Sequence, residues 1–108
     1  HLLEKSLLLS NLNDFVKNNS EGLMYQVGES GDKLSGGQKQ RINIARALYH
    51  SPSLLICDEI TSSLDNKNKY EIIKEINKLK QNLTVIFITH DETLKSYADN
   101  IINLNDEN

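Results

Sequence analysis

Four groups of residues could carry chemistry. Leu34-Ser35-Gly36-Gly37-Gln38 stands at the head of a helical pattern. Paired glycines there let a backbone approach a ligand closely. The free N–H groups and the positive dipole end of the following helix favour a phosphate, with the Ser35 hydroxyl and the Gln38 amide beside them. Asp58-Glu59 ends the apolar run Leu54-Leu55-Ile56-Cys57. A carboxylate at a strand tip can hold a magnesium ion, usually through water. A second carboxylate next to it can orient or deprotonate an attacking water. Ser62-Ser63-Leu64-Asp65 follows, and His90 closes the run from Leu83 to Thr89. Beside a nucleotide, that histidine could hydrogen-bond to the terminal phosphate and sense it. Taken singly, each group has a structural alternative. These are a glycine turn capping a helix, a strand ending in a solvated acidic turn, an N-cap at Asp65 and a structural histidine.

Positioning these groups requires a particular order of elements. Residues 1–19 read as short helices, with Leu2, Leu3 and Leu7 on a loose stripe. Residues 20–37 hold all five glycines and read as a loop region. From Gln38 to about Tyr49 the pattern is helical, with Ile42, Ala45, Leu48 and Tyr49 as its apolar stripe, and Pro52 sets the stop near Ser51. Leu54–Cys57 reads as a buried strand. Residues 66–81 read as an amphipathic helix with Ile72, Ile73, Ile76 and Leu79 inward, stopped at Asn82. Leu83–Thr89 is apolar and β-branched enough to predict a strand covered on both faces. Asp91 can cap a short helix to about Ala98, and Asn100–Leu104 reads as a last strand. Helices alternating with strands predict an α/β fold with a parallel sheet. Ligands of such sheets sit beyond the carboxyl ends of the strands, where Asp58, Glu59 and His90 all fall.

Composition narrows the classes. The 108 residues are 38% hydrophobic and 25% charged, enough for one core. A net charge of -3 argues against a broad basic footprint for nucleic acid. A single cysteine allows neither an intramolecular disulfide nor a cysteine-based zinc cluster. No apolar run reaches membrane-span length. The chain begins at His1, and its only methionine is Met24, which suggests a piece of a longer protein.

In this order and spacing the groups resemble the ATP-binding cassette (ABC) ATPases. Leu34–Gln38 matches the family's signature motif, Leu54–Glu59 its Walker B motif with the catalytic glutamate, Ser62–Asp65 its D-loop and His90 its H-loop. The run from Ile44 to Leu48 is similar to the transporter members, and the likeness extends over about residues 12–104. Val27-Gly28-Glu29-Ser30-Gly31 resembles the X-loop of exporters, with Glu29 as the acidic contact to a membrane domain. Asp14-Phe15-Val16 with Gly22 resembles their helical subdomain. One position departs from the exporter pattern: a basic residue usually follows the H-loop histidine, and here Asp91 does.

The resemblance implies an α/β fold, the C-terminal part of a P-loop NTPase (ABC ATPase) domain. Residues 1–37 would be part of the helical subdomain with the X-loop and signature, and residues 38–108 part of the RecA-like subdomain. It implies ATP and Mg²⁺ as ligands, with Glu59 and His90 catalytic, Asp58 at the metal, and Ser35, Gly36, Gly37, Gln38 and Asp65 at the nucleotide. It implies a second ABC ATPase domain in a head-to-tail dimer, a transmembrane partner, and a place on the cytoplasmic face of a membrane. No nucleic-acid partner is expected. The family's Walker A loop, GxxxxGK[ST], is not in the sequence, so this chain alone is expected to be inactive. The function implied is the ATP-hydrolysing part of a transporter, most simply an exporter. The alternative is a soluble, non-transport ABC ATPase of the translation or DNA-repair type.

Overall fold

The computed structural model describes residues 1–104. Two short helices, α1 (Leu2–Leu9) and α2 (Asn13–Asn18), open the chain. Two 3₁₀ turns follow at Gly22–Met24 and Glu29–Gly31. Then come α3 (Gly36–Leu48), β1 (Leu54–Asp58), α4 (Asn66–Leu79), β2 (Thr84–Ile88) and a 3₁₀ helix at Glu92–Tyr97. The strands pair in parallel, Leu54 opposite Thr84 through to Asp58 opposite Ile88. The connection between them is α4, as parallel pairing requires. Among the described residues no helix is long and apolar enough to cross a membrane.

One side of the strand pair carries the core. Leu55 and Cys57 of β1 pack with Ile44 and Leu48 of α3 and with Ile72, Ile76 and Leu79 of α4. Ile72, Ile73 and Ile76 are essentially fully buried, and each contributes about 1.5–3 kcal/mol by leaving water. Burial pushes the Cys57 thiol up to about 11, so it stays protonated and unreactive at neutral pH.

Four details differ from the sequence reading. First, β1 and β2 are covered on one face only. Leu54, Ile56, Ile86 and Ile88 lie about half exposed on the other, because both long helices pack on the same side. An unbroken apolar run says nothing about which face a helix covers. Second, Asn100–Leu104 forms no strand: Ile101 and Ile102 are exposed and pair with neither strand edge. Third, the inward stripe of α3 is Gly37, Ile44, Ala45 and Leu48, while Ile42 is half-buried and Tyr49 exposed. Fourth, Gly36 and Gly37 belong to the first turn of α3 rather than to the loop before it. Both α4 and the last 3₁₀ helix start where expected, on Asp65 and Asp91.

Candidate functional site

Parallel pairing brings two motifs to one edge. Asp58 ends β1 opposite Ile88, so Glu59 and His90 leave the sheet side by side. The Glu59 N–H donates to the Ile88 carbonyl at 2.8 Å, extending the ladder past the strand end. Glu59 then turns into the left-handed region, with φ +48°. For a residue with a side chain this costs about 1 kcal/mol or more and persists only when its surroundings enforce it. Here the Glu59 carbonyl accepts both the Ser62 N–H at 3.3 Å and the Ser62 hydroxyl at 2.9 Å. The turn leaves the carboxylate partly exposed, with Oε1 2.7 Å from His90 Nδ1. The His90 ring is otherwise 87% exposed, and Nε2 has no partner among the described residues.

Glu59 and His90 share a cavity of about 220 Å³ with Thr61, Ser62, Lys69 and Asp91. Within it, Asp91 binds three groups. Its carboxylate accepts from the Thr93 N–H at 3.0 Å and the Thr93 hydroxyl at 2.7 Å, and it pairs with Lys69 Nζ. The Lys69 ammonium first, then the Thr93 donors, hold the Asp91 carboxyl down at about 2.

Asp58 lies outside that cavity, exposed at the strand tip. Among the described residues no cluster of three or more His, Cys, Asp or Glu side chains could cage a metal. One hard oxygen donor fits Mg²⁺, which keeps several waters and completes its shell with substrate phosphates.

Ser35, Gly36, Gly37 and Gln38 do not line the Glu59–His90 cavity. Ser35 is the N-cap of α3: its hydroxyl oxygen accepts from the Gln38 N–H at 3.2 Å, and Gln38 Oε1 accepts from the Ser35 N–H at 3.0 Å. This reciprocal capping box is legible in sequence as S-x-x-Q. It leaves the Gly36 and Gly37 N–H groups without an acceptor among the described residues, and the Ser35 O–H and Gln38 Nε2 still free to donate. The two glycines also have a packing reason. A Cβ on Gly37 would lie 2.5 Å from Asn68 Oδ1, and one on Gly36 would lie 3.1 Å from Leu64 Cδ2. The signature turn therefore rests on the Ser62–Asp65 segment and the start of α4.

Asp65 acts in this structure as a helix cap. Its Oδ1 accepts from the Asn68 N–H at 2.8 Å and its Oδ2 from Asn68 Nδ2 at 3.1 Å. These bonds, the backbone one foremost, lower its carboxyl below the usual value. Glu29 lies exposed at the start of its 3₁₀ turn.

Sequence reasoning missed two groups of cross-element contacts. Arg41 of α3 reaches Glu71 at 3.1 Å and Glu75 at 3.2 Å on α4, and Asn11 donates to the same Glu75 oxygen at 2.7 Å. Lys69 of α4 pairs with Asp91. For the second, the departure at Asp91 was a visible signal, but its partner was not.

The chain matches the ABC transporter family model over residues 5–62, more than half its length. It belongs to the ABC transporter family. Among curated ABC relatives, it is 43% identical over 102 residues to the ABC multidrug transporter MDR2 of Trichophyton tonsurans, covering 94% of this chain and 8% of that protein. It is 46% identical over 94 residues to the alpha-hemolysin translocation ATP-binding protein HlyB of Proteus vulgaris, covering 87% of this chain and 13% of that protein. It is 48% identical over 92 residues to Plasmodium falciparum multidrug resistance protein 1, covering 83% of this chain and 6% of that protein. The chain thus spans a small fraction of the relatives it matches. Among solved structures, it superposes on a bacterial Atm1-family ABC exporter with ATP bound, with a TM-score of 0.70 and 34% identity over 85% of this chain and 16% of that one. The expected ABC fold and exporter likeness stand, and the soluble, non-transport alternative finds no support among these relatives.

Proposed function

We propose that this chain is the C-terminal part of the ATP-hydrolysing domain of an ABC exporter. In that reading ATP and water become ADP and phosphate, and the cycle drives transport across a membrane. The observation that carries it is the Glu59–His90 contact at the carboxyl end of a parallel strand pair. Glu59 orients the attacking water through its free Oε2 and takes up its proton. His90, held at Nδ1 by Glu59, sets its exposed ring beside the γ-phosphate. Asp58 would help to hold Mg²⁺, directly or through water, and the ion would supply charge neutralisation for phosphoryl transfer.

Ser35, Gly36, Gly37 and Gln38 grip the γ-phosphate of ATP bound to a second ABC domain, facing head to tail. Two N–H groups without an acceptor among the described residues, at the start of a 13-residue helix, suit that anion. Asp65, at the D-loop, lies next to the nucleotide across the same dimer and fixes the start of α4. Residues 1–37 belong with the helical subdomain, where Glu29 meets the transmembrane partner, and residues 38–108 with the RecA-like subdomain. The domain works at the cytoplasmic face of the membrane.

Glu59→Gln in the complete protein tests the reading. It keeps size and hydrogen bonding but removes the base, so kcat should fall about 100-fold or more while ATP binding persists. Turnover near the wild-type rate would refute the assignment.

A further inference from the structure

His90 is poorly held by its own contacts: one side-chain hydrogen bond among the described residues, to Glu59, on a ring that is 87% exposed. Its loop is fixed instead by the next residue. The Asp91 N–H donates to Thr89 Oγ1 at 3.0 Å, so it is tied to the strand end. The Asp91 carboxylate caps the following 3₁₀ helix through Thr93, and its remaining oxygen pairs with Lys69. Lys69 stands one turn into α4, where its N–H donates to the Asp65 carbonyl at 2.9 Å. Both partners are mostly enclosed, Lys69 at 16% and Asp91 at 24% exposed, so water and salt screen the pair less than an open surface pair. Lys69 is also the sole Lys or Arg lining the cavity with Glu59 and His90. Its charge is directed to Asp91, leaving Glu59 to His90.

We infer that Lys69 and Asp91 are a positioning pair: they anchor the His90 loop to α4 and hold the imidazole on Glu59, without touching substrate themselves. The inference rests on the proposed reading of Glu59 and His90 as the hydrolytic pair. Because Asp65 caps the same helix, the pair also joins the His90 loop to the segment on which the signature turn rests. A histidine this exposed, freed from its anchor, samples orientations away from Glu59. Misplacement of that kind lowers the rate of the chemical step rather than the affinity for substrate.

The test measures steady-state ATP hydrolysis by the complete protein in lipid vesicles, with Glu59→Gln as reference. Lys69→Met should lower kcat about tenfold with KM for ATP within about twofold. Lys69→Arg, which keeps the charge, should recover most of the rate. Asp91→Asn, which keeps an oxygen for Thr93, should resemble Lys69→Met, and the double variant should be no worse than either single one. Unchanged kcat in Lys69→Met, additive losses in the double variant, or failure of Lys69→Arg to recover would each overturn the pair while Glu59→Gln remains inactive. If Glu59→Gln itself turns over normally, the underlying site reading falls and takes the pair with it.

Discussion

Replacing Arg41 with Met removes the cation that joins the signature helix to α4. Arg41 is 11% exposed and Glu75 13%, and one guanidinium nitrogen serves both Glu75 and the more exposed Glu71. Removing one partner of a buried ion pair costs about 3–5 kcal/mol, because the other charge is left in a poorly solvated place. Two features reduce that here. Glu75 keeps the Asn11 amide at 2.7 Å, worth about 1 kcal/mol, and Met fills much of the vacated space with apolar surface. The Glu71 arm adds under about 1 kcal/mol because water reaches it. The expected loss is therefore about 2–4 kcal/mol, a large share of the 5–15 kcal/mol typical of a domain. Urea unfolding followed by far-ultraviolet circular dichroism measures it, with the slope unchanged if only stability moves. Adding Glu75→Gln removes the stranded charge, so the double variant should return to within about 1 kcal/mol of wild type. A cost below about 0.5 kcal/mol for Arg41→Met, or a double variant as weak as the sum of its parts, would refute the argument.

Three further outcomes are expected. Gly37→Ala should lower the melting temperature, because the gain in helix propensity, about 1 kcal/mol, is outweighed by the new Cβ at 2.5 Å from Asn68 Oδ1 and the disturbed Asp65 cap. Gly36→Ala meets only a leucine methyl at 3.1 Å and should be close to neutral, so equal shifts in the two variants would contradict the packing account. The Asp91 carboxyl is depressed from 3.8 to about 2, so its stabilising contribution is complete above about pH 4 and is lost as pH falls towards 2. Carbon NMR should find that low midpoint, and Lys69→Met should move it up; an unmoved midpoint would remove Lys69 as its cause. Calorimetry with Mg-ATP should show only weak binding to this chain, since its sequence holds no GxxxxGK[ST] loop to wrap a triphosphate, and tight binding would disprove that expectation.

Much of the fold and site was legible because it is local. The Asp65 and Asp91 caps need only the next few residues, and the inward isoleucines of α4 follow from helical period alone. Asp58, Glu59 and His90 could be placed at strand ends because the apolar runs stop there. The run through β2 misled on coverage, since apolarity reports suitability for burial but not the presence of a cover. Asn100–Leu104 misled likewise, because a strand exists only where another offers its edge.

The sequence by itself determined which residues carry charge and oxygen donors, and on which local element each one sits. Tertiary structure decided which of them meet. Glu59 and His90 are 31 residues apart, and Arg41 and Glu75 are 34 apart. Lys69 finds Asp91 on another element entirely. Capping and helical period act over about four residues and so can be read along the chain. A hydrogen bond or ion pair between distant residues depends on strand register and helix packing, which the whole core sets at once.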